Sequence, residues 1–461
     1  MPTPDLRNYL GLLQKHGELR SVTDTVDLRF ELCEFLRQVD RAQGQALLFE
    51  QISGHSMKVV GNLVGTPRRL ALAFGLKNEH KLLETYHKRR GRAGKPRRVK
   101  DGPVKEVLLR NAKQVDLNAL PIPTYHEDDG GPYITCGILT AKDPMTGLRS
   151  MGLHRLHVKG SRRLGVHLTN PPISHFVAKA EEANRPLDVA ISLGVHPILL
   201  LAAIVSSPNE DKVAIASSLL GGPLALTRCE TSDVDVPAHA EVVIEGKVLP
   251  KVREPEGPFG ETSGYYFSDN SHVIEVTAIT HRKNPILQAL HPTSQEVALL
   301  CGPSGEAELV EMLRGKGFDV KDLALSAASG RTHVALALKK RHESDPKQLL
   351  HFLLAGVSFI KHAVIVDDDV DVRDARDVEW AIATRVQADE DLVIIPGLRG
   401  RSIDPSQKTG LITAKLGIDA TVPAAERPRY KRIGVPPDIK EDVAKRLAAL
   451  KSQFAPFATK A

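Results

Sequence analysis

Aromatic residues and cysteines are scarce in this sequence. Aromatic side chains make up 4% of the 461 residues, and Trp380 is the single tryptophan. The four cysteines, Cys33, Cys136, Cys229 and Cys301, are far apart and form no CxxC pair. Disulfide frameworks use a dense and regular set of cysteines, so this spacing favours a reducing compartment. We expect a cytoplasmic protein.

Long apolar runs and nucleotide-binding signatures are also missing. No apolar run approaches the roughly 20 residues that a membrane-spanning helix needs, so we expect no membrane span. The start of the chain, 1–5, does not resemble a signal peptide. The sequence contains no GxGxxG after a predicted strand, no Walker A motif and no HExxH. The common dinucleotide, P-loop and zincin sites are therefore not expected.

The net charge is +6, and much of the basic excess lies in 88–100. A run of lysines and arginines can bind nucleic acid. No aromatic residue for base stacking interrupts this run, and no zinc-finger spacing accompanies it. We interpret the run as a solvated linker or an oligomer contact, and we expect no nucleic-acid partner.

The chain is long enough for two or three domains, and 42% of its residues are hydrophobic. Apolar periodicity predicts helices over 6–16, 30–43, 67–74, 79–88, 174–183, 306–316, 346–355, 378–385 and 441–455. It predicts strands over 46–49, 59–63, 133–141, 150–159, 164–168, 189–193, 213–216, 224–229, 241–246, 272–281, 332–338, 362–366 and 392–396. We expect an α/β region with the basic linker at 1–102 and a β-rich barrel or sandwich at 103–298. A layered α/β domain follows at 299–461, with a terminal helix that could dock on another subunit.

The stretch 253–267 (REPEGPFGETSGYYF) holds the strongest candidate site. Its prolines and glycines predict a loop, with Glu256 and Glu261 presented by a turn. Neighbouring carboxylates split their pKa values, which suits general acid and base chemistry. An acidic loop can also be simply solvated. We expect the rings at 265–267 to be buried, which favours a carboxylate pair against a pocket wall.

Three further features qualify as candidate sites. Arg155 lies on a predicted strand among apolar residues, and a buried arginine requires a carboxylate partner such as Glu256 or Glu261. The alternative is an arginine on an exposed edge strand. Lys415 precedes a short motif that could end a phosphate site. Three aspartates at 367–369 could hold a cation, although a solvated turn is the better interpretation.

The segment 256–266 strongly resembles the signature of UbiD-type reversible decarboxylases. The resemblance extends over nearly the whole chain in several separate motifs in the same order. These are 128–135 (DDGGPYIT), 151–155 (MGLHR), 236–238 (VPA) with 241–246 (EVVIEG), 366–371 (VDDDVD) and 415–421 (KLGIDAT).

The resemblance implies the fold and the chemistry. It implies an N-terminal α/β part, a flavin-binding split β-barrel and a C-terminal α/β oligomerisation domain that forms homodimers or homohexamers. It implies prenylated FMN, made by a flavin prenyltransferase, which adds to an aromatic, heteroaromatic or α,β-unsaturated acid before CO₂ is exchanged for a proton. The physiological direction, carboxylation or decarboxylation, stays open.

By position, the resemblance implies a Glu–Arg–Glu network. Glu261 would be the proton donor, and Arg155 would hold the substrate carboxylate and couple to Glu256. The residues it places at the cofactor are Leu153, His154, Arg155, Lys212 and Lys415, with Lys415 at its phosphate.

The sequence departs from the family at the metal site. Members usually bind a divalent metal such as manganese, with potassium nearby, through Asn, His and Glu. Those positions carry Ser150, Pro172 and Lys212 here. A small shift could instead supply Glu210, Asp211 or His175 as ligands. We therefore leave the metal open and expect the Lys212 ammonium to replace part of its charge, the alternative being a Lys212 that points to solvent.

The sequence leaves two functions open. The intact Arg155, Glu256 and Glu261 favour a decarboxylase acting on a small-molecule carboxylic acid. The altered metal positions favour a non-catalytic subunit or structural paralogue in a larger carboxylase assembly.

Overall fold

The computed structural model describes residues 4–92, 94–168, 170–205, 210–326, 329–436, 438–443 and 446. The helices are α1 (Leu6–Lys15), α2 (Glu31–Arg41), α3 (Pro67–Ala73), α4 (Leu82–Arg90), α5 (Ile173–Glu182), α6 (Pro197–Ile204), α7 (Lys212–Leu220), α8 (Gln295–Gly315), α9 (Asp345–Gly356) and α10 (Ala375–Arg385). The strands are β1 (Leu19–Val26), β2 (Ala46–Ile52), β3 (Lys58–Gly61), β4 (Arg97–Arg98), β5 (Val107–Leu109), β6 (Tyr133–Lys142), β7 (Arg149–Val158), β8 (Arg163–Val166), β9 (Leu187–Leu193), β10 (Ala225–Arg228), β11 (Asp235–Pro237), β12 (Val242–Gly260), β13 (Tyr266–His281), β14 (Ile286–Ala289), β15 (Val320–Leu325), β16 (His333–Leu338), β17 (His362–Asp367), β18 (Leu392–Arg399) and β19 (Ile412–Ala420).

A closed antiparallel barrel occupies the middle of the chain, as the β-rich pattern predicts. Its strands follow the order β12-β9-β6-β7-β8-β13, and β13 pairs back with β12 to close the ring. Successive side chains of a strand point to opposite faces. Val243 and Ile244 of β12 accordingly join two different hydrophobic cores. Both faces of this barrel wall are therefore packed.

The N-terminal α/β part is completed by a strand from after the barrel. Its sheet has the order β1-β2-β3-β14, in which β14 pairs with β3 in parallel. The chain thus leaves the barrel, returns to the first sheet and then enters α8, which itself spans the predicted boundary at 298. The division into 1–102, 103–298 and 299–461 remains a prediction.

The C-terminal part is a mixed sheet of order β15-β16-β17-β19-β18 with helices on both faces. Leu313 of α8 and Leu353 of α9 pack into the core on one face. Val378 and Ala381 of α10 pack into the core on the other face. This confirms the predicted layered α/β arrangement.

The predicted strand at 213–216 is wrong, because these residues lie in α7. The carboxylate of Asp211 accepts hydrogen bonds from the amides of Val213 and Ala214, which caps the helix at its start. Gly221 ends it with φ +74°. The helix is buried on nearly all sides, so its sequence carries no amphipathic period.

Most of the predicted helix at 441–455 lies outside the described residues. Among the residues that are described, no helix is both long and apolar enough to cross a membrane.

Candidate active site

The guanidinium of Arg155 lies between two carboxylates. Its Nε and Nη2 donate to both oxygens of Glu256, at 3.1 and 2.7 Å, and its Nη1 donates to Glu261. The side chain of Glu256 is fully buried, whereas that of Glu261 keeps 15% of its surface exposed. The prediction that Arg155 is buried with a carboxylate partner is confirmed, and the alternative of an exposed edge arginine is wrong.

The strand geometry directs Arg155 into this site. Ile134 of β6 pairs with Leu156 of β7, but the next paired residues are Gly137 and His154. Two residues of β6 therefore lie opposite Arg155, which makes a β-bulge. Bulges re-aim side chains and are frequent beside active sites.

Aromatic rings enclose the guanidinium from two directions. Its central carbon lies 5.2 Å from the ring centre of Phe259 and 5.1 Å from that of Phe267. The Tyr133 ring is 4.4 Å from Phe259 and stacks on His157 at 4.6 Å. Cation–π contact and exclusion of water both strengthen charge interactions here.

The carboxylates lie on a long hairpin, which corrects the expectation of a loop. Glu256 belongs to β12, and Glu261 follows it in the turn before β13. The pairing of the two strands shifts between Glu256 and Phe259, and Gly257 there has φ +108°. Prolines are tolerated in a strand at such irregular positions.

The exposed rings at the tip of the hairpin are a second correction. Tyr265 and Tyr266 are 60% and 45% exposed, so they do not form the pocket wall. Of the predicted wall residues at 265–267, only Phe267 contacts Arg155. The apolar wall comes instead from Tyr133, Phe259 and Phe267.

Asp129 ties the hairpin to the barrel. One of its carboxylate oxygens accepts from the amides of Tyr125 and His126, and the other accepts from the amide of Gly260 at 2.8 Å. Gly130 donates to the carbonyl of Pro258 at 2.7 Å. The motif at 128–135 therefore holds the hairpin segment that carries Glu256 and Glu261.

Burial sets the pKa values around the network. For Arg155 burial opposes the charged form, but the hydrogen bonds to Glu256 and the charge of Glu261 outweigh it and raise the pKa. Burial and the Glu256 carboxylate raise the pKa of Tyr133. Burial lowers the pKa of His157 and of His167. Arg155 is therefore a permanent cation among neutral aromatic and imidazole groups.

A second cluster contains Lys212 and His154. Lys212 is 4% exposed, and its ammonium donates to the carbonyl of Ala203 at 3.1 Å. Burial lowers its pKa to about 8. Burial, followed by the charge of Lys212, lowers the pKa of His154 to about 4. The idea that Lys212 points to solvent is wrong.

Ser150 lies on β7 four residues before His154, so the two side chains share a face of the strand. The Ser150 hydroxyl is buried, and within the described part of the chain it has no hydrogen-bond partner. Gly152 leaves room for His154, because a Cβ at Gly152 would lie 2.4 Å from Nε2 of that imidazole. An ammonium, a hydroxyl and a neutral imidazole form a donor set that fits the phosphate of a flavin.

The proposed substitutes for metal ligands are engaged elsewhere. Glu210 pairs with Arg90, and Asp211 pairs with Arg149 while it caps α7. His175 is exposed on α5. Over the described ranges, no group of three or more histidine, cysteine, aspartate or glutamate side chains is arranged to hold a metal ion. These residues do not fit a divalent metal.

Lys415 lies in the C-terminal part, apart from the Arg155 network. Its ammonium donates to the carbonyls of Leu354 and Val357, at 2.8 and 2.7 Å, at the end of α9. Burial lowers its pKa to about 8. Its contact with a phosphate stays a prediction, and it requires the ammonium to leave these carbonyls.

The solvated turn predicted at 367–369 is correct for two of its three aspartates. Asp368 and Asp369 form an exposed turn, whereas Asp367 is the last residue of β17 and is buried. Asp367 is 4% exposed and pairs with Arg385 and Arg427, and Asp369 pairs with Arg385. They stabilise the C-terminal part as an ion-pair network.

Comparison with known proteins places this architecture in a family. Models of the N-terminal, Rift-related and C-terminal domains of 3-octaprenyl-4-hydroxybenzoate carboxy-lyase (UbiD) match residues 10–88, 97–295 and 298–420. The chain belongs to the UbiD family. It is accordingly a carboxy-lyase, and the predicted resemblance is confirmed.

Relatives and solved structures support the same family. Anhydromevalonate phosphate decarboxylase of Methanothermobacter thermautotrophicus is 33% identical over 437 residues, which cover 93% of this chain and 99% of that protein. The UbiD-class enzyme HmfF of Pelotomaculum thermopropionicum, in complex with FMN, has a TM-score of 0.88 and 40% identity, covering 94% of this chain and 97% of that one. An evolved dimeric form of HmfF, in complex with prFMN, has a TM-score of 0.85 and 39% identity over the same shares of the two chains.

No sequence pattern marks Arg331 and Arg401, two arginines that lie near the site of this UbiD-family chain. Burial and the charge of Arg331 lower the pKa of Arg401, and the charge of Glu261 opposes them. The Nη1 of Arg401 donates to the carbonyl of Gly330 at 3.0 Å. Both arginines come from the C-terminal part, about 70 to 140 residues after Glu261, and no local motif links them to it. Only their proximity in the fold identifies them.

Proposed function

We propose that this UbiD-family carboxy-lyase catalyses the non-oxidative, reversible decarboxylation of an aromatic, heteroaromatic or α,β-unsaturated carboxylic acid with prenylated FMN. The Glu256–Arg155–Glu261 network carries the proposal, because it unites a carboxylate-binding cation with a carboxyl group that can move a proton. The FMN and prFMN complexes of HmfF support the cofactor. The anhydromevalonate phosphate decarboxylases act on a non-aromatic acid that carries a phosphate, which supports the α,β-unsaturated class.

Arg155 and Glu256 form the fixed half of the network. Bidentate pairing and full burial of Glu256 hold the guanidinium in one orientation. Its Nη1 faces Glu261, and a substrate carboxylate can bind there in exchange for that residue. The aromatic wall of Phe259 and Phe267 excludes water and strengthens the attraction.

Glu261 is the movable half. It lies in a turn and is the more exposed of the two carboxylates. Once the substrate carboxylate occupies Arg155, Glu261 loses its cationic partner and takes up a proton from solvent. The protonated carboxyl group is then free to swing toward the carbon that loses CO₂ and to deliver that proton to it. In carboxylation the same residue removes that proton.

Lys212, His154 and Ser150 would hold the cofactor phosphate, with Leu153 and Arg155 beside the ring system. Bound prenylated FMN supplies an electron sink for the electron pair left by CO₂. The charge of Lys212 takes over part of the role that a divalent metal has in other members. Lys415 is a second candidate for the phosphate.

The test is turnover by protein co-expressed with a flavin prenyltransferase. We expect the purified protein to carry about one prenylated FMN per chain and to release CO₂ from at least one acid of an aromatic, furan-type and acrylic-type panel. A folded protein that binds the flavin but neither decarboxylates nor exchanges labelled CO₂ with any acid would favour the non-catalytic subunit.

A further inference from the structure

Two arginines, Arg331 and Arg401, lie near Glu261. In the described part of the chain, neither Arg331 nor Arg401 lies within salt-bridge distance of an aspartate or glutamate, although Arg373, Arg385 and Arg432 of the same domain are all paired. Among the described residues, the side chain of Arg401 forms one hydrogen bond, which its Nη1 donates to the carbonyl of Gly330. Like charges placed together without anions cost free energy, so such a pair is suited to bind an anion.

The loop that carries Arg331 contacts the hairpin turn. A Cβ at Gly330 would lie 2.9 Å from the carbonyl oxygen of Thr262, next to Glu261. Thr262, Gly330 and Arg331 line one small cavity. Ser294, at the start of α8, also lines it. Arg331 therefore lies at a small cavity beside the turn that carries Glu261. Ser294 is not a free donor there, because its hydroxyl donates to the carbonyl of His291 at 2.7 Å.

Burial of Arg401 makes the binding of an anion beside it more favourable. Burial is the main cause that lowers the pKa of Arg401, and the charge of Arg331 lowers it further. Glu261 offsets part of this charge, but it also pairs with Arg155. A substrate carboxylate that displaces Glu261 from Arg155 leaves the other two guanidinium groups to a second anionic group.

We propose that Arg331 and Arg401 form a subsite for a second anionic group of the substrate, so that the preferred acid is a dianion bearing a carboxylate or a phosphate besides the carboxylate that is lost. This rests on the proposed function, because it names the substrate class of the same site. Arg155 binds the reacting carboxylate, and the arginine pair binds the remote group and fixes the orientation of the acid.

The experiment compares matched acids on cofactor-loaded enzyme. Each set contains one unsaturated acid, the same acid with a second carboxylate and the same acid with a phosphate. We expect kcat/KM to be at least about 10-fold higher for a dianion, which corresponds to about 1.4 kcal/mol. Whether the carboxylate or the phosphate arm gives the larger gain identifies the group.

Substitutions of the two arginines test whether they cause the preference for a dianion. Arg331→Met and Arg401→Met should each remove most of the gain, measured as the ratio of kcat/KM for the dianion to kcat/KM for the simple acid. Arg399→Met is the matched control, because Arg399 is an exposed arginine of the same segment. Equal kcat/KM for simple and dianionic acids in the wild type, or a gain that both variants retain, would overturn the subsite.

A binding arm separates this proposal from the proposed function. Calorimetric titration with saturated, unreactive mono- and diacids needs no turnover. Stronger binding of the diacid that Arg331→Met abolishes would support the subsite even in a protein without decarboxylase activity. Equal binding of the two acids by the wild type would contradict it even in an active enzyme.

Discussion

At the scale of single residues, the site depends on one arginine shared by two carboxylates that differ in burial. Glu256 is inaccessible to solvent and paired through both oxygens, whereas Glu261 shares a single nitrogen. The first interaction fixes the cation, and the second can exchange with substrate. On this asymmetry we base the proposal that Glu256 positions the arginine and that Glu261 transfers the proton.

Arg155→Met should destabilise the protein strongly. Removing one partner of a buried ion pair leaves an uncompensated charge, here on Glu256, and typically costs about 3–5 kcal/mol. Arg163→Met is the control, because Arg163 pairs with the partly exposed Glu254. Exposed pairs are worth about 0–1 kcal/mol. Thermal unfolding should show a large loss of Tm for Arg155→Met alone, and equal losses would show that the network is not a buried ion pair.

Flavin binding should weaken as the pH rises through about 8. The pKa of Lys212 is lowered to about 8, so its ammonium is charged below that pH and loses its charge above it. A charged ammonium attracts the phosphate, and a neutral amine does not. The charge of Glu308 opposes the lowering of the Lys212 pKa by burial. FMN titrations between pH 7 and 9.5 should show that the affinity of the wild type for FMN declines as the pH rises.

Two variants decide which lysine is responsible. Lys212→Met should bind FMN weakly and without this pH dependence, whereas Lys415→Met should retain it. Lys415 titrates in the same range. If Lys415→Met removes the dependence and Lys212→Met keeps it, Lys415 is the phosphate ligand.

At the scale of elements, the β12–β13 hairpin determines the geometry of the site. A Cβ at Gly257 would lie 2.7 Å from the carbonyl oxygen of Phe267, and its φ of +108° is open almost only to glycine. Gly257→Ala should therefore cost about 1–3 kcal/mol from backbone strain, besides the steric conflict, and displace Glu256. Activity and Tm should both fall.

Gly264→Ala is the control within the same hairpin. Gly264 also has a positive φ, of +81°, but a Cβ there would meet no atom within 4 Å. A smaller loss of activity and Tm than for Gly257→Ala would isolate the contribution of the close approach between Gly257 and the carbonyl of Phe267. Equal effects would mean that strand contact at Gly257 does not position the site.

The barrel is predictable from the sequence because alternation marks its strands. The hairpin around Glu256 reads as a loop in the sequence because Pro255 and Pro258 normally interrupt strands. The structure accommodates them where the register of β12 and β13 shifts. The sequence pattern does not predict helix α7, because a helix that is buried on almost every side has no polar face.

The candidate site is predictable only where local chemistry requires a partner. A buried arginine needs a carboxylate, which links Arg155 to Glu256 and Glu261 across about 100 residues. Arg331 and Arg401 carry no such requirement in the sequence. Their place beside Glu261 follows from how the C-terminal sheet meets the hairpin, which no local pattern encodes.

At the scale of the whole molecule, an exposed apolar segment indicates a partner. Ile433 is fully exposed, and Val435 and Ile439 follow it with about half of their surfaces exposed. Exposed apolar clusters are typical of interfaces. We expect light scattering at micromolar concentration to show a homodimer or homohexamer. We expect Ile433→Asp to weaken this assembly. Met145→Asp, at an exposed barrel loop, should leave the assembly intact. A monomeric wild type would contradict the expectation.

The most direct test of the central claim compares turnover by Glu261→Gln with turnover by Glu254→Gln, both loaded with prenylated FMN. General acid catalysis contributes typically about 10²–10⁴-fold, so Glu261→Gln should lose at least that much activity while its flavin content and Tm stay unchanged. Glu254, on the same hairpin, pairs with Lys159 and Arg163 and should tolerate the change. Turnover by Glu261→Gln close to that of the wild type would contradict proton delivery by Glu261.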